Sequence, residues 1–212
     1  MTNNYVNYKL YLVTDRTNKT DEEFLNIIEE AIKGGVTVVQ IREKDADTLE
    51  FYNISKKVKE ICSKYNVPLI INDRIDIALA IDADGVHIGQ SDMPIKIARK
   101  LIGNDKILGI SAHNLKEATD AEENGADYLG VGAIFSTSTK KDANDVSIDT
   151  LKEISSNVDI PTVAIGGINL DNVEKLKDTN ISGISVVSAI MNAENPKIAS
   201  ENLLRKLKIK HY

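Results

Sequence analysis

Short apolar runs alternate along this chain with stretches whose apolar positions recur every three or four residues, the pattern of strands and amphipathic helices in turn. The first run is Leu10–Val13. A helix follows from about Asp21: Thr20 and Glu23 have capping-box spacing, Phe24, Ile27, Ile28 and Ala31 form one face, and Gly34 and Gly35 stop it. Val36–Ile41 reads as a strand buried on both faces. The helix expected over Thr48–Tyr65 carries Leu49, Tyr52, Val58, Ile61 and Cys62 on its apolar side. Pro68 opens the next strand, Leu69–Ile71, and a brief helix, Ile75–Ile81, leads to Val86–Ile88. Pro94 fits the first turn of a helix to about Leu101. Then come a strand at Ile107–Ile110, a helix at Leu115–Asn124 with Asn114 and Glu117 at cap spacing, and a strand at Tyr128–Val131. The longest loop, Gly132–Val146, precedes a helix near Ile148–Ser155. The last units are a strand at Thr162–Ile165, a helix around Leu170–Lys177, a strand at Ile184–Val187 and a helix at Ile198–Lys208.

Strand–helix units repeating at intervals of roughly 20–30 residues predict an α/β fold of one kind, a (β/α)8 or TIM barrel, on the short side of the usual ~250 residues. A weak repeat supports this: Gly34-Gly35, Asp84-Gly85, Gly125-Ala126 and Ser182-Gly183 each place small residues between helix end and strand start. An open doubly wound sheet would usually show fewer units and an early G-x-G-x-x-G turn, which is absent. No linker or composition break divides residues 1–212, so one domain is expected.

Composition narrows the function classes. Net charge is −6 and the pI about 5.2, which argues against a general nucleic-acid surface. No apolar run approaches the ~20 residues of a membrane span, and the first ten residues lack the basic and apolar regions of a signal peptide, so a cytoplasmic protein is expected. The single cysteine, Cys62, reads as a core thiol.

Candidate chemistry collects after the strands, where a barrel of this kind holds its active site. Asn72-Asp73 and Asp92 follow neighbouring strands, so two carboxylates meet at one end of the sheet. At ~5 Å they would repel by about 3 kcal/mol at an effective dielectric near 20. A cation between them relieves that, and an all-oxygen donor set suits Mg2+. The competing reading makes Asp73 a helix cap and Asp92 a loop residue before Pro94. Side chains alternate along a strand, so Gln40, Arg42 and Lys44 share one face and Ile41 and Glu43 the other. An amide and two cations converging in a barrel mouth would receive an anion; otherwise the strand end is a solvated loop. Ser111 and His113 follow the fifth strand, the serine as a phosphate contact or a turn cap, the histidine as a weaker candidate. In the long loop Thr137, Ser138 and Thr139 supply hydroxyls with Lys140 behind them, a phosphate-binding set or a surface tip. Gly166-Gly167 follows strand seven and Ser188-Ala189 follows strand eight, the usual phosphate site of such barrels, unless the glycines merely serve turns.

Taken together, the segments YLVTDR, QIREKD, INDRIDIALAIDADGVHIGQSDMP, GISAHN, GADYLGVGAIF-STSTKKDA, VAIGGIN and SVVSAI make the chain resemble the thiamine phosphate synthase family over nearly its whole length. The resemblance implies joining 4-amino-5-hydroxymethyl-2-methylpyrimidine pyrophosphate to 4-methyl-5-(2-hydroxyethyl)thiazole phosphate, with Mg2+ as cofactor, small molecules as the only substrates, and room for a homo-oligomer. It implies that Gln40, Arg42 and Lys44, the main chain through Ile41 and Glu43, Asn72, Ser111 and Lys140 hold the pyrimidine pyrophosphate. It assigns Mg2+ to Asp73 and Asp92, and the thiazole phosphate to Thr137, Ser138, Thr139, Gly167, Val187 and Ser188. Arg42, Lys44 and Lys140 would carry the catalytic charge neutralisation. Ser136 departs from the family pattern, which often has proline there. A thiazole tautomerase-like barrel and a non-enzymatic phosphate-ligand sensor are the competing functional readings.

Overall fold

The computed structural model describes residues 6–136 and 145–207. Eight parallel strands close into one barrel in sequence order: β1 (Leu10–Val13), β2 (Val38–Ile41), β3 (Leu69–Asn72), β4 (Gly85–Ile88), β5 (Ile107–Ala112), β6 (Tyr128–Val131), β7 (Thr162–Ile165) and β8 (Gly183–Val186). β8 pairs with β1, so no edge is left open. The helices wrap the outside: α1 (Asp21–Lys33), α2 (Thr48–Lys64), α3 (Ile75–Ala80), α4 (Ile95–Ile102), α5 (Leu115–Glu123), α6 (Ile148–Asn157), α7 (Ser188–Met191) and α8 (Pro196–Lys206). The expected barrel is therefore the observed one.

The cap signals act as read. Thr20 accepts from the Glu23 amide at 3.2 Å while Glu23 accepts from the Thr20 amide at 2.8 Å, so two amides at the start of α1 are satisfied reciprocally. Asn114 caps α5 through the Glu117 amide at 2.9 Å. Asp73 is no cap: α3 follows Arg74 and has no side-chain cap bond.

Period-two alternation divides the apolar residues into two layers. Tyr8, Tyr11, Val13, Val38, Ile70, Tyr128 and Val163 fill the barrel interior. The other strand faces, including Leu10, Leu12, Val39, Ile41, Leu69 and Ile71, pack outward against Phe24, Ile28, Phe51, Ile54 and Val58 of the helices. Each such side chain contributes roughly 1.5–3 kcal/mol by leaving water. Cys62 is in this outer layer, fully buried, and burial pushes its thiol up to about 12, which keeps it an inert packing group. Leu203 and Leu207 of the last helical segment are buried as expected, with Leu204 packed partly against the core.

Four local expectations need correction. Leu49 is 68% exposed: α2 turns Phe51, Ile54, Ser55, Val58 and Cys62 inward, and Leu49, two residues before Phe51, lies on the far side. The segment Leu170–Lys177 forms only a single 3-10 turn, Val173–Leu176, because Asn169 holds its entry in loop geometry by accepting from the Asp171 amide. β5 runs on to Ala112, so Ser111 belongs to the strand. A short helix, α7, starts directly at Ser188 and was not foreseen. Phe51→Ala should lower stability by about 3–5 kcal/mol in chemical denaturation, and Leu49→Ala by less than about 0.5 kcal/mol.

Candidate active site

Residues of all eight strands and of loops after them surround an open cavity of about 620 Å3 in the barrel mouth. Gln40, Arg42, Lys44, Asn72, Asp73, Asp92 and Ser111 all line it, together with His113. An adjoining lobe of about 130 Å3 is built from Gly132, Ala133, Gly166, Gly167, Val187 and Ser188. Arg42, Ser111 and His113 border both lobes. The volume of the larger space suits a small-molecule ligand.

Strand alternation places the β2 residues. Gln40 points inward and is 5% exposed, while Ile41 is buried in the outer core. Beyond the strand, Arg42 turns to the cavity and is held by its amide donating to Thr14 Oγ1 at 3.3 Å. Glu43 turns the other way: its carboxylate, 8% exposed, accepts from Arg16 at 3.2 Å. Arg16 also bridges Asp21 at 3.2 Å and Glu50, so one guanidinium ties the β1 and β2 loops to α1 and α2. Burial would lower the Arg16 pKa, but the hydrogen bonds it donates to Glu43 and Glu50 outweigh that and raise it above its ordinary value. That anchor fixes the side of the loop from which Arg42 and Lys44 project. Ile41 and Glu43 thus present no side chain to the cavity.

Asp73 stands at φ 60°, in the left-handed region that few residues other than glycine adopt. The backbone is held there by its amide donating to His87 O at 2.9 Å, across β3 and β4. Its carboxylate accepts from Asn72 Nδ2 at 2.7 Å and pairs with Lys44. Asp92 Oδ2 accepts from the Gly89 amide at 2.7 Å, which folds the β4 loop back over the rim. Both aspartates line the same cavity, at the same end of the sheet. Asp73 and Asp92 offer carboxylate oxygens to a cavity that His87 and His113 also line, and among the described residues no group of three or more His, Cys, Asp and Glu is placed to hold a metal ion. Two carboxylates suit a hard cation only where water or phosphate oxygens would supply its remaining positions.

The small lobe is a main-chain cup. Gly166 and Gly167 have φ of 101° and 62°, and a Cβ at Gly167 would lie 2.5 Å from Ser136 O. Only glycine lets the β7 loop pass so close to the β6 loop. Thr137, Ser138, Thr139 and Lys140 lie outside the described residues.

His113 is fixed by Glu117, whose Oε2 contacts Nδ1 at 2.8 Å and accepts from the His113 amide at 2.9 Å. Burial pushes the Glu117 carboxyl up, but those contacts prevail and hold it below its usual range. A depressed carboxyl stabilises above its unfolded pKa, so this clasp is lost as pH falls through the acid range. Below the rim lies a group that pattern reading missed. Tyr11, His87 and Tyr128 point inward and line the cavity floor, linked to Gln40 and Ser111 by hydrogen bonds. Ser185, 4% exposed, sits beside them and has no hydrogen-bond partner. The available signal was a polar residue at the inward position of an apolar strand, as in Val86-His87-Ile88. Gln90 also reaches inward, donating to Ser111 O at 2.7 Å.

A family model described as thiamine monophosphate synthase matches residues 10–190. The chain is 64% identical over 208 residues to a protein from Methanobrevibacter smithii named thiamine-phosphate synthase, covering 98% of this chain and 99% of the relative. It is 57% identical to a protein of the same name from Clostridium tetani, covering 96% and 97%. A solved structure of thiamine phosphate pyrophosphorylase from Pyrococcus furiosus superposes with a TM-score of 0.88 at 42% identity, covering 96% of each chain. Gly167→Ala should cost about 1–3 kcal/mol of stability, read as a lowered melting temperature, because alanine meets both the unfavourable φ and the Ser136 carbonyl.

Proposed function

Because the chain belongs to the thiamine monophosphate synthase family, we propose that its two-lobed cavity joins 4-amino-5-hydroxymethyl-2-methylpyrimidine pyrophosphate to 4-methyl-5-(2-hydroxyethyl)thiazole phosphate, giving thiamine phosphate and pyrophosphate. The observation that supports this reading is the pairing of a lobe lined by Arg42, Lys44, Asp73 and Asp92 with an adjoining glycine-walled lobe, both bordered by Arg42 and Ser111. A diphosphate and a monophosphate have distinct places, and the reacting carbon and nitrogen meet between them.

In this reading Arg42, Lys44 and Lys140 neutralise charge as the bond between the pyrimidine methylene carbon and the diphosphate oxygen breaks. The thiazole nitrogen then forms its bond to that carbon, and no proton changes hands. The aminopyrimidine itself steadies the positive carbon, so a protein nucleophile is unnecessary. Gln40, Asn72 and Ser111 orient the pyrimidine substrate, with the main chain at Ile41 and Glu43 beside it. Thr137, Ser138, Thr139, Gly167, Val187 and Ser188 hold the thiazole phosphate. Asp73 and Asp92 would hold Mg2+, which when bound supplies Lewis-acid neutralisation of the departing diphosphate. The Lys44–Asp73 pair is exposed enough that its own contribution to stability is at most about 1 kcal/mol, so placing charge for a ligand is the better account of it.

Purified protein given both substrates with Mg2+ should release pyrophosphate and form thiamine phosphate, and a chelator should abolish both. Binding of the substrates without turnover would favour a sensor, and conversion of a thiazole alone would favour a tautomerase. Asp73→Ala and Lys140→Ala should each lower kcat/KM by about 10²-fold or more with the melting temperature shifted by less than about 3 °C. Wild-type rates with unchanged Mg2+ dependence would remove those roles.

A further inference from the structure

Five side chains from five strands form a continuous hydrogen-bonded chain through the barrel floor. Gln40 Nε2 donates to Tyr11 Oη at 2.7 Å. Tyr11 Oη lies 2.7 Å from Tyr128 Oη, and Tyr128 Oη lies 2.9 Å from His87 Nδ1. His87 Nε2 lies 3.0 Å from Ser111 Oγ. The fold makes room for this chain deliberately: a Cβ at Gly109 would lie 2.2 Å from the Tyr128 ring, and one at Gly130 would lie 3.0 Å from His87 Cε1. Tyr11 and Tyr128 are almost wholly buried, and burial pushes both hydroxyls above their ordinary values, so each keeps its single proton.

An amide nitrogen can only donate, which fixes one end. Since Tyr11 accepts from Gln40, its own proton goes to Tyr128, and the Tyr128 proton goes to His87 Nδ1. A neutral imidazole that accepts at Nδ1 carries its proton on Nε2 and gives it to Ser111 Oγ. The opposite order would bring two donors onto Tyr11 and leave its own proton without an acceptor, since among the described residues Tyr11 Oη is bonded to Gln40 and Tyr128 alone. An unmet buried donor is unfavourable.

We propose that this relay runs from Gln40 to Ser111 and sets Ser111 as a hydrogen-bond donor into the cavity, with His87 and Tyr128 as positioning residues for an anionic ligand. Ser111 borders both lobes, so a hydroxyl poled outward serves a phosphoryl oxygen and one poled inward does not. The inference rests on the proposed use of Ser111 against the diphosphate substrate, and its first test needs no substrate.

Ring-15N histidine labelling, with His87 assigned by its loss in His87→Gln, reports which nitrogen holds the proton. Wild-type protein should show His87 protonated at Nε2, and Tyr128→Phe should give a mixture of tautomers. A proton on Nδ1 in the wild type, or a tautomer unmoved by Tyr128→Phe, would overturn the direction of the relay. Where the synthase reaction runs, Tyr128→Phe should raise KM for the diphosphate substrate about fivefold with a smaller change in kcat. In a Ser111→Ala background the same substitution should add nothing; multiplicative losses in the double variant would overturn action through Ser111.

Discussion

A closed parallel barrel has one constraint from which its chemistry follows: every strand ends its carboxyl terminus on the same rim. β3 and β4 are neighbours in the sheet, so Asp73 and Asp92 are delivered to the same side with no further device. Two carboxylates on one rim are electrostatically unfavourable by themselves. This rim answers with Lys44 paired to Asp73 and Arg42 beside them. In the proposed function, that balance is what receives a diphosphate together with its cation.

The barrel's second constraint is the strand period of two. On β2 it sends Gln40 into the cavity and Ile41 into the outer core, and the Arg16 clamp on Glu43 carries the alternation one step past the strand end. The part-buried Arg16–Glu43 pair thus decides the side to which Arg42 and Lys44 project. The same period places Tyr11, His87 and Tyr128 inside, where small residues on adjoining strands leave them space.

Much of this was legible in the chain. The strand–helix rhythm led to the barrel, and the polar clusters after strands two to five led to residues that share one cavity. What was not legible turns on side-chain partners and packing rather than on apolar spacing. His87 gains its significance from Tyr128 and Ser111, 41 and 24 positions away, which spacing along one strand does not reveal. Leu49 fits a helical apolar face by spacing, yet α2 packs Phe51 and Ile54 on the barrel and so turns Leu49 outward. Leu170–Lys177 has helical periodicity, but loop hydrogen bonds around Asn169 claim its entry.

The most direct measurement is a crystal structure of the protein grown with inorganic pyrophosphate and Mg2+. The account predicts the diphosphate against Arg42 and Lys44, with a metal ion ligated by Asp73 and Asp92 and by diphosphate oxygens. A diphosphate seated elsewhere, or a metal ion bound without either aspartate, would contradict it.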